Sequence, residues 1–114
     1  MTFSKLHIGI QAAIRSGAKM GNTSKELKDR LISMGVNDAS LFDAFYQAEK
    51  ACEEMARTNL RLRPDMGLYK IIICPADWDI LDAANQGYGN SNQMDITDGI
   101  EGSPVKAIYV GKSI

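Results

Sequence analysis

The apolar positions keep two rhythms, and the change from one to the other divides the chain. The first half has a helical period. Leu6, Ile10, Ala13 and Ile14 fall at i, i+4, i+7 and i+8, one face of a helix. Gly17 weakens that helix and Gly21 ends it. Thr23-Ser24-Lys25-Glu26 then sets Thr at an N-cap and Glu at the third helical position, a capping box that satisfies two orphan backbone donors. Leu27, Leu31 and Met34 follow on one face, with Gly35 as the C-terminal stop. The third stripe is the most regular. Asn37 or Asp38 caps it, and Leu41, Phe45, Ala48, Cys52 and Met55 repeat at spacings 4-3-4-3, with Glu49, Lys50, Glu53 and Glu54 on the other sides. About two heptads are too few for a coiled coil, so the stripe predicts a core-facing helix ending near Arg57.

After Asn59 the rhythm changes. Arg61-Leu62-Arg63-Pro64-Asp65-Met66-Gly67 breaks helix, and Leu68-Tyr69-Lys70-Ile71-Ile72-Ile73-Cys74 is β-branched and nearly continuous in apolar character. Such a run suits a strand covered on both faces. Pro75 ends it and can open a short helix over 76–84, whose acidic first turn favours the helix dipole and whose Trp78, Ile80 and Leu81 form an apolar face. Residues 85–103 are the least structured, with Gly87, Gly89, Gly99 and Gly102 and few large apolar groups, although Ile96 and Ile100 can pin part of the stretch. Pro104-Val105-Lys106-Ala107-Ile108-Tyr109-Val110 reads as a second strand. The expected fold is α+β, amphipathic helices packed on a small central β-sheet. The chain reads as a single domain over 1–114, helical in 1–36.

Composition narrows the function classes. The chain is 45% apolar and 24% charged with a net charge of −1, which disfavours a dedicated nucleic-acid binder. Apolar runs such as 71–74 fall far short of the roughly 20 residues a membrane span needs, and no basic-then-apolar leader opens the sequence. Cys52 and Cys74 make no disulfide framework, so reduced thiols are expected. One histidine, His7 on the first helix, and two distant cysteines do not supply four zinc ligands. Asp77, Asp79 and Asp82 resemble a carboxylate cluster that could serve acid–base chemistry, but the solvated first turn of a helix accounts for the same spacing. No catalytic residue, cofactor, metal or small-molecule substrate is expected.

The charges are divided by sign. Residues 1–36 carry six basic and two acidic groups. Residues 75–104 carry six acidic groups, Asp77, Asp79, Asp82, Asp95, Asp98 and Glu101, and no basic one. Arg57, Arg61, Arg63 and Lys70 between them face only Asp65. Intramolecular neutralisation is one account of this division. The sharper one is a head-to-tail contact in which the acidic patch of one copy meets the basic patch of the next, either Arg57, Arg61 and Arg63 or the 19–30 region.

Three segments of the second half, taken in order, are similar to a known family. They are Leu60-Arg61-Leu62-Arg63-Pro64-Asp65-Met66-Gly67, then Tyr69-Lys70-Ile71-Ile72-Ile73-Cys74-Pro75-Ala76-Asp77-Trp78, and Gly99-Ile100-Glu101-Gly102-Ser103-Pro104-Val105. Together they resemble the axial domain of tailed-bacteriophage major capsid proteins of the Hong Kong type, in which an apolar strand runs into a Pro-x-Asp-Trp-like helix start, followed by a loop and a Gly-x-Pro-Val strand. The resemblance covers about residues 41–110. The arm, spine helix, extended loop and peripheral domain of a whole subunit do not fit in 114 residues, so it implies an axial-domain fragment or a separate small protein of similar fold. It also implies a structural virion protein, made in the bacterial host cytoplasm, whose partners are other copies arranged around capsomer axes, with no membrane or specific nucleic acid. The interface candidates are then Arg57, Arg61, Arg63, Asp77, Asp79, Asp82, Asp95, Asp98 and Glu101. The alternative is a small non-enzymatic adaptor or regulator that binds a protein partner through the acidic 85–103 loop.

Overall fold

A computed structural model describes residues 3–58, 69–78, 93–96 and 100–111. A 3-10 turn at Phe3–Lys5 leads into helices α1 (Ile8–Met20), α2 (Ser24–Ser33) and α3 (Ala39–Thr58). Strands β1 (Tyr69–Pro75), β2 (Gln93–Ile96) and β3 (Val105–Gly111) follow. The architecture is α+β, as the patterning predicts.

Helix ends form where local chemistry puts them. His7 is the N-cap of α1 and not part of the helix, a correction to the sequence reading: its Nδ1 accepts from the Gly9 N–H at 3.0 Å. Helix α1 runs through Gly17 and stops at Gly21, whose φ of 72° lies in the left-handed region that costs glycine nothing. The Lys70 ammonium donates to the Gly21 carbonyl at 3.2 Å, a cation at the negative end of the helix dipole. The capping box of α2 is complete, with Thr23 and Glu26 bonding each other's backbone N–H. Gly35 follows α2 with a φ of 88°. Met34 lies past the last helical residue of α2, at the C-cap, and is exposed, so it does not continue the buried Leu27–Leu31 face. Asp38 is the residue that bonds the first turn of α3, its Oδ1 accepting from the Leu41 N–H at 3.1 Å.

The sheet order is β1-β3-β2, antiparallel throughout. In the β1–β3 ladder Ile71 faces Tyr109, Ile73 faces Ala107 and Pro75 faces Val105. These six share one side of the sheet, where they join Leu41, Phe45, Ala48 and Cys52 of α3, and Ile14, Leu27 and Leu31 of α1 and α2, with Pro75 buried beside them. The alternate set, Ile72, Cys74 and Ile108, points the other way, onto Ala18 of α1 and a half-buried Trp78. The strand is thus buried on both faces, and its continuous apolar run reports that. Helix α1 supplies residues to both clusters.

Two sequence expectations change here. Residues 75–78 form a β-turn, the Trp78 N–H donating to the Pro75 carbonyl at 3.0 Å, instead of the first turn of a helix. Pro75 is the last residue of β1, an edge strand, and the Ala76 N–H donates to the Pro104 carbonyl, so the missing proline donor breaks no ladder bond. The rest of the expected 76–84 helix lies outside the described residues. The 85–103 stretch also contains a strand, β2, which aligns Asp95 with Tyr109 and Ile96 with Ile108 on the free side of β3.

Candidate interaction surface

The far end of the β1–β3 ladder gathers two turns. One is the 75–78 turn, which exposes Asp77. The other is closed by the Ser103 N–H donating to the Ile100 carbonyl at 2.9 Å. Its second central residue, Gly102, has a φ of 81°, as a type II turn requires. Ser103 fixes the entry to β3, its Oγ donating to the Val105 carbonyl at 2.8 Å and accepting from the Val105 N–H. Ile100 and Glu101 remain exposed on this turn. An open groove of about 230 Å³ separates the turn from α3, with Ser40, Asp43, Gln47, Ile100, Glu101 and Pro104 on its walls.

Beyond Asp43 the outward face of α3 continues as a strip. Asp43, Tyr46, Gln47, Lys50, Glu53 and Glu54 are exposed, and Tyr46 keeps 59% of its surface in solvent. The helical period places them opposite Leu41, Phe45, Ala48 and Cys52. Glu49 is half-buried at the margin. Between 43 and 54 the helix holds four carboxylates and one ammonium.

The surface of α1 and α2 has the other sign. Its cations outnumber its anions: Arg15, Lys19, Lys25 and Lys28 are exposed and Arg30 is half-buried, beside exposed Glu26 and Asp29. Apolar groups lie among them: the Arg30 guanidinium approaches the Met20 sulfur at 3.5 Å, and Met20 and Met34 are 62% and 52% exposed. Lys28 Nζ sits 5.4 Å from the Phe42 ring centre, and the Arg15 guanidinium 4.8 Å from that of Phe3.

Of the residues singled out from sequence, the structure brings Asp77 and Glu101 onto neighbouring turns, both exposed. Asp95 is on β2, in register with Tyr109. Arg57 is in the last turn of α3, while Arg61, Arg63, Asp79, Asp82 and Asp98 lie outside the described residues. Lys70 belongs to the α1 terminus through Gly21. The acidic strip on α3 was missed by the charge division, which weighed 1–36, 57–70 and 75–104 and passed over 37–56. Its signal is the 43-46-50-53-54 spacing, complementary to the buried stripe.

The fold and this surface define a small α+β domain with charged faces of opposite sign. Among the described residues no three His, Cys, Asp or Glu side chains converge as metal ligands would, and no helix is long and apolar enough to cross a membrane. Comparison with family models, with curated proteins and with solved structures finds no match to the chain.

Proposed function

We propose that this chain is a structural assembly domain without catalytic activity, of the axial kind built into tailed-phage capsid subunits, and that its partners are other copies of itself in a virion shell. One observation carries the reading. The segments that resemble that family, Cys74-Pro75-Ala76-Asp77-Trp78 and Gly102-Ser103-Pro104-Val105, are far apart in sequence, yet they meet at one end of the sheet. Pro75 faces Val105 there, and the Ala76 N–H donates to the Pro104 carbonyl at 3.0 Å. Asp77 and Glu101 are exposed on those turns, and on this reading they contact a neighbouring subunit.

The test is where the protein is found. In gradient-fractionated lysates of cells that make it, quantitative mass spectrometry is expected to place the chain in the particle fraction, in many copies per DNA-filled particle. Recovery only as a soluble species would overturn the reading. The alternative, an adaptor that uses the acidic 85–103 region, draws support from the groove beside Ile100 and Glu101. It expects a soluble one-to-one complex with a different protein in the same lysate.

A further inference from the structure

The groove between α3 and the 100–104 turn brings acidic and apolar groups together. Asp43, Ala44 and Gln47 lie on one face of α3, and Ile100, Glu101 and Pro104 come from the turn. The lining holds two carboxylates and no cation. Both carboxylates are exposed, and neither makes an ion pair or a side-chain hydrogen bond among the described residues. Ala44, Ile100 and Pro104 supply apolar surface in the same groove. Both walls are set before anything binds, which lowers the cost of binding. At the start of α3 the Asp38 Oδ1 accepts from the Leu41 N–H at 3.1 Å. The turn is closed by the Ser103 N–H at the Ile100 carbonyl and anchored by the Ala76 N–H at the Pro104 carbonyl.

We infer that this groove is a docking site for an arginine side chain presented by a partner polypeptide, its guanidinium held between Asp43 and Glu101 and its stem lying on Ala44, Ile100 and Pro104. Size and charge select that occupant. At about 230 Å³ the groove is smaller than the roughly 300–1,000 Å³ of a small-molecule pocket and suits one long side chain. Two carboxylates without a cation repel an anion and attract a positive group. A metal ion is excluded as that group, because hard cations take about six to eight oxygens and no three acidic, His or Cys side chains converge among the described residues. A free amino acid brings its own carboxylate, which Asp43 and Glu101 repel, whereas a residue inside a chain does not. Guanidinium suits acceptors on two walls because its N–H donors are fixed in a planar fork and it is weakly hydrated. Its aliphatic stem covers apolar surface while the charge stays at the rim. This goes beyond the assembly reading, because it fixes the group recognised and holds whichever chain presents it.

Amide chemical-shift titration of the full chain tests this, in about 0.05 M salt, where screening is weak. The probe is a blocked alanine-arginine-alanine tripeptide. One control carries citrulline, which keeps the shape and loses the charge, and another carries lysine, which keeps the charge and loses the fork. The arginine peptide is expected to give saturable shifts confined to residues 40–47 and 100–105. Citrulline in the peptide, or Asp43→Asn with Glu101→Gln in the chain, is expected to weaken binding roughly three- to tenfold, the size of two exposed ion pairs. The lysine peptide is expected to bind more weakly than the arginine one. Far-UV circular dichroism confirms that the double variant is folded, and the citrulline control needs no variant should it unfold. No saturable shift at these amides, shifts centred elsewhere, or equal binding of the citrulline or lysine peptide overturns the inference. So does a folded double variant that binds the arginine peptide as well as wild type. The assembly reading is decided separately by the particle fraction, so either can fail alone.

Discussion

The capping box of α2 is the clearest case of a single-residue device. The Thr23 Oγ1 accepts from the Glu26 N–H, and Glu26 Oε1 accepts from the Thr23 N–H at 3.2 Å and from its hydroxyl at 3.1 Å. These bonds favour the ionised carboxylate, the Thr23 backbone N–H most of all and its hydroxyl next, and they hold the Glu26 carboxyl below its ordinary 4.5. A pKa depressed in the folded state stabilises the fold above the unfolded value, and that contribution is lost as pH falls from about 4.5 through the lower folded value. Apart from that titration, Thr23→Ala removes the N-cap itself and should cost roughly 1 kcal/mol by urea unfolding. It should also move the Glu26 carboxyl titration, followed by carbon NMR, part of the way back up. A titration that does not move would mean that the side-chain bond is absent in solution. His7 is the contrasting residue. Its role as an N-cap could not be read from the sequence, because imidazole is outside the usual set of capping side chains and the role depends on a ring rotamer. Gly17, read as a weak point, sits where a Cβ would stand 3.1 Å from Leu27 Cδ1, so it lets α1 and α2 approach closely.

Among the elements, α3 was the most legible and β2 the least. The stripe Leu41, Phe45, Ala48 and Cys52 is 0 to 2% exposed, as a 3.6-residue period demands of the face turned to the sheet. Met55, the last member of the stripe, is in the helix, but its side chain lies outside the described residues. Adjacent positions on this helix should behave oppositely. Phe45→Ala should cost about 3–5 kcal/mol by removing a ring from the centre of the core. Tyr46→Ala should change stability by about 0.5 kcal/mol or less. Equal losses in chemical denaturation would place the helix in the wrong rotation. Trp78 should show indole emission blue of free tryptophan, with acrylamide quenching slower than for the free amino acid, because one side of its ring packs on the Ile72, Cys74 and Ile108 cluster. Quenching at the free rate would remove it from that cluster. Strand β2 escaped the sequence reading for a physical reason. Gln93-Met94-Asp95-Ile96 is too short for its alternation to stand out from a polar stretch, and its strand form comes from pairing with β3.

At the scale of the molecule, the helices and the sheet share one main core. Cys52 comes from the middle of α3 and Cys74 from the end of β1, and both are fully buried, on opposite faces of the sheet. Both thiols should therefore react with a water-soluble alkylating reagent only when the whole domain opens. The rates for the two should be equal and should rise together with urea. Fast labelling of Cys74 alone would show that the Ala18 side of the sheet opens separately from the α3 side.

The sequence by itself determined the three helices, the caps of α2 and α3, the glycine stops, the buried stripe of α3, and the two long strands. These are features in which neighbouring residues select the conformation, through caps, left-handed glycines and the apolar period. It also carried the division of charge by sign. Only the tertiary structure decided that His7 caps a helix, that Pro75 closes a strand and a turn, that β2 exists, and that Pro75 and Pro104 meet at one end of the sheet. It decided as well that Lys70 is held at the end of α1. Most of these depend on contacts between residues distant in the chain; the His7 cap and the Pro75 turn are local, but they turn on a side-chain rotamer and on backbone angles that residue type does not fix. A local pattern specifies which face of an element is apolar, but which other element covers that face, and which charges remain outside, is set by how the elements pack.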